Sequence, residues 1–154
     1  MSSSAPEFFF EDFPVGQVLD YGSYQVTAEE IVSFAREFDP QPFHLDEKAA
    51  KSSMLGGLCA SGWHICAIAM RMMVDGYFGR TASMGSTGID EMKWLKPVFA
   101  GDRLSCRRTT LAARVSAKRP EMGILTMQWE LFDANSQKKA EMTGINRIKV
   151  RGGA

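Results

Sequence analysis

Residues 61–74 run Ser-Gly-Trp-His-Ile-Cys-Ala-Ile-Ala-Met-Arg-Met-Met-Val, and only His64 and Arg71 interrupt the apolar character strongly. A helix that is apolar on nearly every face has to be buried, because no side of it can be left to water. The run is too short to cross a bilayer, which takes ~20 apolar residues. Ser61 is placed to cap its start, and Asp75-Gly76 to stop it. The C-terminal half of the chain is strand-like. Residues 85–94, 103–113, 124–132 and 139–150 alternate or carry β-branched side chains. Between them lie a bend at 96–102, a hairpin connection at 118–123 and a turn at 133–136. A buried helix followed by an antiparallel run of long strands predicts an α+β domain, with one curved sheet wrapped around a central helix.

The upstream third delivers the chemistry. Residues 1–7 read as a loosely ordered tail, and 8–154 as a single domain. Phe8, Phe9, Phe10 and Phe13 form an aromatic cap, and residues 17–26 a strand. Thr27-Ala28-Glu29-Glu30 has the spacing of a capping box, and Ile31, Phe34, Ala35 and Phe38 follow at helical intervals. This helix leads into Phe38-Asp39-Pro40-Gln41-Pro42-Phe43-His44. Asp39 and Gln41 each precede a proline, which disfavours helix and predicts a stiff extended turn. Such a turn can hold a carboxylate and an imidazole at a set separation, as general acid–base work requires. The same spacing also fits an Asx-type turn with a solvated histidine. Asp46 is placed to cap a second short helix at 47–50.

Composition narrows the options. Eighteen Lys plus Arg balance eighteen Asp plus Glu over 154 residues, so no overall field favours nucleic acid or an anionic membrane. The N-terminal residues lack the basic and apolar regions of a signal peptide. Cys59, Cys66 and Cys106 have no C-x-x-C spacing and read as reduced thiols of a cytoplasmic protein. With two histidines and no ligand cluster, no metal site is expected.

Three segments in order carry a resemblance. Asp39-Pro40-Gln41-Pro42-Phe43-His44, followed by Asp46 and Ala49-Ala50, matches a G-D-x-N-P-x-H pattern. Ala60-Ser61-Gly62 matches a small-H-G segment at a helix start. Lys96-Pro97-Val98-Phe99-Ala100-Gly101-Asp102 matches basic-L-P-V-x-x-G-D. Over roughly residues 10–150 the chain resembles the MaoC-like dehydratases, which include the R-specific enoyl-CoA hydratases of the hotdog fold. It departs from their pattern at Phe38 (glycine), Gln41 (asparagine) and Ser61 (histidine). The resemblance implies a lyase that hydrates or dehydrates an acyl-CoA thioester, with Asp39 and His44 carrying both proton transfers. It also implies a side-by-side homodimer, and no cofactor beyond the coenzyme A of the substrate.

That chemistry also needs a donor for the thioester oxygen. Gly62 at the helix N-terminus offers an unpaired N–H, and its missing Cβ would allow close approach; packing against the sheet explains the same glycine equally simply. Ser61 and Gln41 are candidates for positioning substrate. Arg107, Arg108, Lys118 and Arg119 read as solvated strand and hairpin residues, with coenzyme A phosphates as candidate partners. His64 reads as a neutral core histidine bonded to a carbonyl, and Met70, Met72 and Met73 as core filler or acyl-tunnel lining. A hotdog thioesterase and a non-catalytic acyl-CoA-binding module are the alternatives. The absence of Asp and Glu from 61–74 weighs against the first, and the pairing of Asp39 with His44 against the second.

Overall fold

The structure, a computed structural model, describes residues 4–153. Its frame is a five-stranded antiparallel sheet in the order β1-β3-β4-β5-β2. The strands are β1 (Val18–Gln25), β2 (Ser83–Trp94), β3 (Arg103–Val115), β4 (Met122–Phe132) and β5 (Lys138–Lys149). Three helices, α1 (Ala28–Phe38), α2 (Pro42–Leu45) and α3 (Glu47–Lys51), separate β1 from the long helix α4 (Gly62–Gly76). The expected curved sheet around a central helix is what forms.

Strand alternation explains the core. Leu125, Met127, Trp129 and Leu131 of β4 point inward, as do Ala140, Met142 and Ile148 of β5. They meet Ile65, Ile68, Ala69, Met72 and Met73 of α4. The Trp129 indole N–H donates to the Tyr77 hydroxyl at 2.8 Å, joining sheet to helix end inside the apolar layer. Phe8, Phe10 and Phe13 cap this core as expected, and Phe10 fills the space a side chain at Gly123 would need. Of the tail expected at 1–7, residues 1–3 lie outside the described residues. Ordered contact begins at Glu7, whose N–H donates to the Arg80 carbonyl at 2.8 Å and whose carboxylate pairs with the Arg80 guanidinium at 3.0 Å.

Three expectations need correction. The stretch from Asp39 to His44 is not extended throughout, because Pro42 opens the single turn of α2. Proline at a first helical position loses no hydrogen bond and has the right φ already; Asp39 and Gln41, the residues before the prolines, stay non-helical. Next, α4 is not buried all round. Trp63, Met70 and Val74 form an exposed stripe at 66%, 48% and 41% accessibility. Five strands curve around only part of a helix, and β2, an edge strand, leaves this side open.

The last correction concerns Arg108, which is a buried core cation rather than a solvated residue. It donates to Gln17 at 2.7 Å and Thr110 at 3.1 Å, and lies over the rings of Phe13 and Tyr77. Position 108 falls on the inward register of β3, where a guanidinium is tolerable only with such partners.

Candidate active site

Asp39 is the C-cap of α1, its N–H donating to the Ala35 carbonyl at 2.9 Å. One carboxylate oxygen accepts from the Gln41 side-chain amide at 2.7 Å. The other lies 3.4 Å from His44 Nε2, on the turn that α2 supplies. His44 is buried, so the solvated-histidine reading does not hold. Its Nδ1 lies 2.7 Å from the Cys59 backbone carbonyl. A carbonyl can only accept, so Nδ1 carries a hydrogen and Nε2 is the nitrogen turned to Asp39. The 3.4 Å between Nε2 and the carboxylate is bridged by a proton on Nε2, or by one water donating a hydrogen to each.

Burial by itself would raise the Asp39 pKa. The Ser61 hydroxyl, the Gln41 amide and the His44 ring outweigh it and hold the carboxyl below its ordinary range. Asp39 is therefore ionised at neutral pH. Ser61 stands at the N-cap position of α4, but its side chain makes no capping bond. The fully buried hydroxyl instead lies close enough to influence Asp39, without a well-formed hydrogen bond among the described residues.

Asp39, Gln41, His44, Ser61 and Gly62 line one cavity of about 710 Å³. Five of the candidates read from the sequence are thus brought together. Trp63, Trp94 and Lys96 also line the cavity, and sequence reasoning missed them as site residues. In the sequence Lys96 reads as part of a bend and as the basic residue of the third matching segment. Trp94, the last residue of β2, explains Gly62 in part: a Cβ on Gly62 would stand 2.5 Å from the Trp94 indole. The same indole donates from Nε1 to the Gly62 carbonyl at 3.0 Å. The missing side chain therefore makes room for Trp94 rather than for a ligand, while the Gly62 N–H, at the first helical position, has no intrahelical partner.

The four other cations do not line this cavity. Arg107 forms a two-pronged pair with Asp20 at 2.7 and 3.2 Å, and Arg108 is buried as described. Arg119 pairs with Glu121 at 2.9 Å on the β3–β4 connection that also carries Lys118.

The family model described as MaoC like domain matches residues 12–126. The chain belongs to the MaoC-like domain family. It is 34% identical over 133 residues to the uncharacterized protein YdeM of Bacillus subtilis (strain 168), covering 86% of this chain and 90% of that one. A MaoC-like dehydratase from Rhodospirillum rubrum superposes with a TM-score of 0.87 at 39% identity, covering 94% of this chain and 99% of the other. An (R)-hydratase from A. caviae involved in PHA biosynthesis matches at a TM-score of 0.70 and 19% identity over 90% and 98% of the two chains, which shows the shared hotdog fold. Dehydration and hydration are the chemistry for which the last two of these proteins are named. Among the described residues, no helix is long and apolar enough to cross a membrane.

His64 differs from its expectation. Its Nε2 faces the Glu30 carboxylate at 3.4 Å rather than a carbonyl, and its ring stacks on Phe34 at 4.7 Å. Glu30 also accepts from the Tyr24 hydroxyl at 2.9 Å and from the Thr27 hydroxyl at 3.1 Å. Burial lowers the His64 pKa; Glu30 opposes that and His44 adds to it. A folded pKa below the unfolded value of about 6.5 means that the unfolded chain binds the proton first as pH falls. Stability from this group is thus full above that value and declines below it. His64→Phe, which keeps the stack on Phe34, is expected to lose less thermal midpoint than the parent between neutral and mildly acidic buffer. Equal losses in parallel melts would remove His64 from the acid response.

Gly62→Val forces the Trp94 indole away and overpacks the first turn of α4, a change worth about 1–3 kcal/mol. Circular-dichroism melts are expected to show a lowered midpoint, and Trp94→Leu added to Gly62→Val to recover part of it. A single variant as stable as the parent would mean that this contact does not constrain the glycine.

Proposed function

We propose that the protein reversibly hydrates an enoyl-CoA thioester to a 3-hydroxyacyl-CoA, with Asp39 and His44 as its acid–base pair. The observation that carries this reading is the placement of Asp39 Oδ2 and His44 Nε2 3.4 Å apart in a cavity beside a helix N-terminus. One water bridging the two atoms is oriented and made more nucleophilic. As its oxygen bonds to the β-carbon, a water proton passes to the pair and the double-bond electrons move toward the thioester oxygen. A proton returned by the pair to the α-carbon completes the addition, and dehydration runs the same steps backward.

The thioester oxygen gains charge during attack. The Gly62 N–H at the start of α4, with the helix dipole behind it, is the group suited to hold that charge. Gln41 holds the Asp39 carboxylate by one oxygen and leaves the other for the water. Lys96 is the cation at the cavity, which makes it a better candidate for a coenzyme A phosphate than Arg107, Arg108, Lys118 or Arg119 within one chain.

The decisive assay follows loss of enoyl-thioester absorbance with crotonyl-CoA, beside a free-thiol measurement for released coenzyme A. Absorbance loss without thiol release supports the hydratase reading, and thiol release would favour a thioesterase. Asp39→Asn and His44→Ala are each expected to lower turnover about 10²–10⁴-fold. An Asp39→Asn variant with near-parental turnover would exclude Asp39 from proton transfer.

The active unit in this reading is a homodimer. β2 is an edge strand with most of its residues exposed, and the uncovered stripe of α4 lies beside it. Pairing through such an edge would satisfy its free N–H and C=O groups and cover the stripe together. Light scattering coupled to size exclusion at low micromolar protein is expected to give twice the chain mass. A monomeric mass at full specific activity would rule the dimer out.

A further inference from the structure

Lys139 is out of step with the strand that carries it. Alternation along β5 buries Ala140, Met142 and Ile148, and would send residue 139 to the outer face with Glu141. Leu131 of β4 pairs with Ala140 but Phe132 pairs with Lys138, so Lys139 is the extra residue of a β-bulge. A bulge re-aims the side chain it carries, and this one delivers a lysine into the interior, where it is 4% exposed.

There the ammonium meets the bend between β2 and β3. It donates to the Pro97 carbonyl at 3.0 Å. It also lies 3.5 Å from the carboxylates of Asp102, in the bend, and Asp133, in the turn between β4 and β5. The Lys139 backbone carbonyl accepts from the N–H groups of Leu95 and Lys96, at 2.8 and 3.1 Å. One residue thus fastens Leu95, Lys96 and Pro97, and all three line the catalytic cavity. The same bend holds the segment that leads into α4. The Val98 carbonyl accepts from the Ala60 N–H at 2.8 Å, and the Ala100 N–H donates to the Leu58 carbonyl at 3.1 Å. Cys59, between them, offers its own carbonyl to His44 Nδ1 at 2.7 Å.

An apolar side chain could hold a bend as firmly. Burying an ammonium with carboxylates carries a desolvation penalty that their attraction does little more than offset, so such a cluster is a poor source of stability. It supplies definition instead. An ammonium that has to satisfy a carbonyl and two carboxylates together fixes one position of the bend, whereas an apolar contact lets it slide.

We propose that Lys139 is a positioning residue for the Asp39–His44 pair. It fixes the bend at 96–102, and through the bend the Cys59 carbonyl that keeps a proton on His44 Nδ1 and turns Nε2 to Asp39. The consequence for turnover rests on the hydratase reading; the effect on the imidazole does not.

The test therefore reads the imidazole directly. With two histidines in the chain, isotope-labelled histidine and long-range nitrogen–proton NMR isolate the His44 ring, and His64→Phe assigns the signals. At a pH where both rings are neutral, the parent is expected to carry the His44 proton on Nδ1 alone. Lys139→Met, which keeps the length of the side chain and removes its charge, is expected to give a mixture of tautomers while circular dichroism shows a folded chain. With crotonyl-CoA the same variant is expected to lose about 10–10²-fold in kcat with KM little changed, and Lys139→Arg to recover part of the loss. Should Lys139→Met fail to fold, Asp102→Asn leaves the lysine its Pro97 and Asp133 partners and carries the same comparison. An unchanged His44 tautomer in the folded variant overturns the proposal, as does a parental kcat. A parent that turns over no enoyl-CoA, with a tautomer still disturbed by the substitution, would sink only the hydratase reading.

Discussion

The structure depends on hiding α4. Its fifteen residues bury Ile65, Ile68, Ala69, Met72 and Met73 against the concave face of the sheet. At about 1.5–3 kcal/mol for each large apolar side chain removed from water, this contact outweighs any single polar interaction in the molecule. The sheet curves because it has a helix to cover, and the connections at the end of β1 become helices that close one end of the groove. The N-terminus of α4, with its unpaired N–H groups, is thereby brought beside Asp39 and His44. A surface helix could not have done this, since its first turn would face water.

The imidazole of the site is held in place by a chain of contacts that runs back through the backbone. His44 takes its tautomer from the Cys59 carbonyl. Cys59 and Ala60 are pinned to the bend after β2, through the bridge of Cys59 to Phe99 and the Ala60 N–H donating to Val98 at 2.8 Å. That bend is closed in turn by Asp102, which accepts from the Phe99 N–H at 2.9 Å, and by the left-handed Gly101. The buried Lys139 ammonium lies 3.5 Å from both Asp102 and Asp133 and donates to the Pro97 carbonyl at 3.0 Å. The Lys-Pro-Val-Phe-Ala-Gly-Asp segment therefore acts on the imidazole at a distance. Its aspartate holds the bend, and the bend holds the carbonyl that orients His44.

The open side of the groove joins the remaining features. β2 meets β5 with three register irregularities and carries Gly85 and Gly88 at positive φ. An edge strand interrupted in this way follows the groove instead of sealing it. The exposed stripe of α4 and the cavity wall formed by Trp63 and Trp94 lie along that one unsealed seam.

Much of the molecule was legible in the sequence, because it comes from local rules. The hydrophobicity of residues 61–74 dictated a buried helix, period-two alternation dictated the long strands, and Thr27 and Asp46 marked helix starts that formed as expected. The pairing of Asp39 with His44 was also accessible, since five residues stiffened by two prolines leave the chain few ways to separate them. Other features depended on groups distant in the chain. Arg108 looked solvated until Gln17, Phe13 and Tyr77 closed over it, and His64 acquired Glu30 from another helix. Gly62 owes its missing side chain to Trp94, thirty-two residues on. Lys139 reaches the bend only because a bulge in β5 breaks the alternation. Periodicity tells which side of an element is buried, but which residue lies opposite is decided by packing between elements that the sequence does not place side by side.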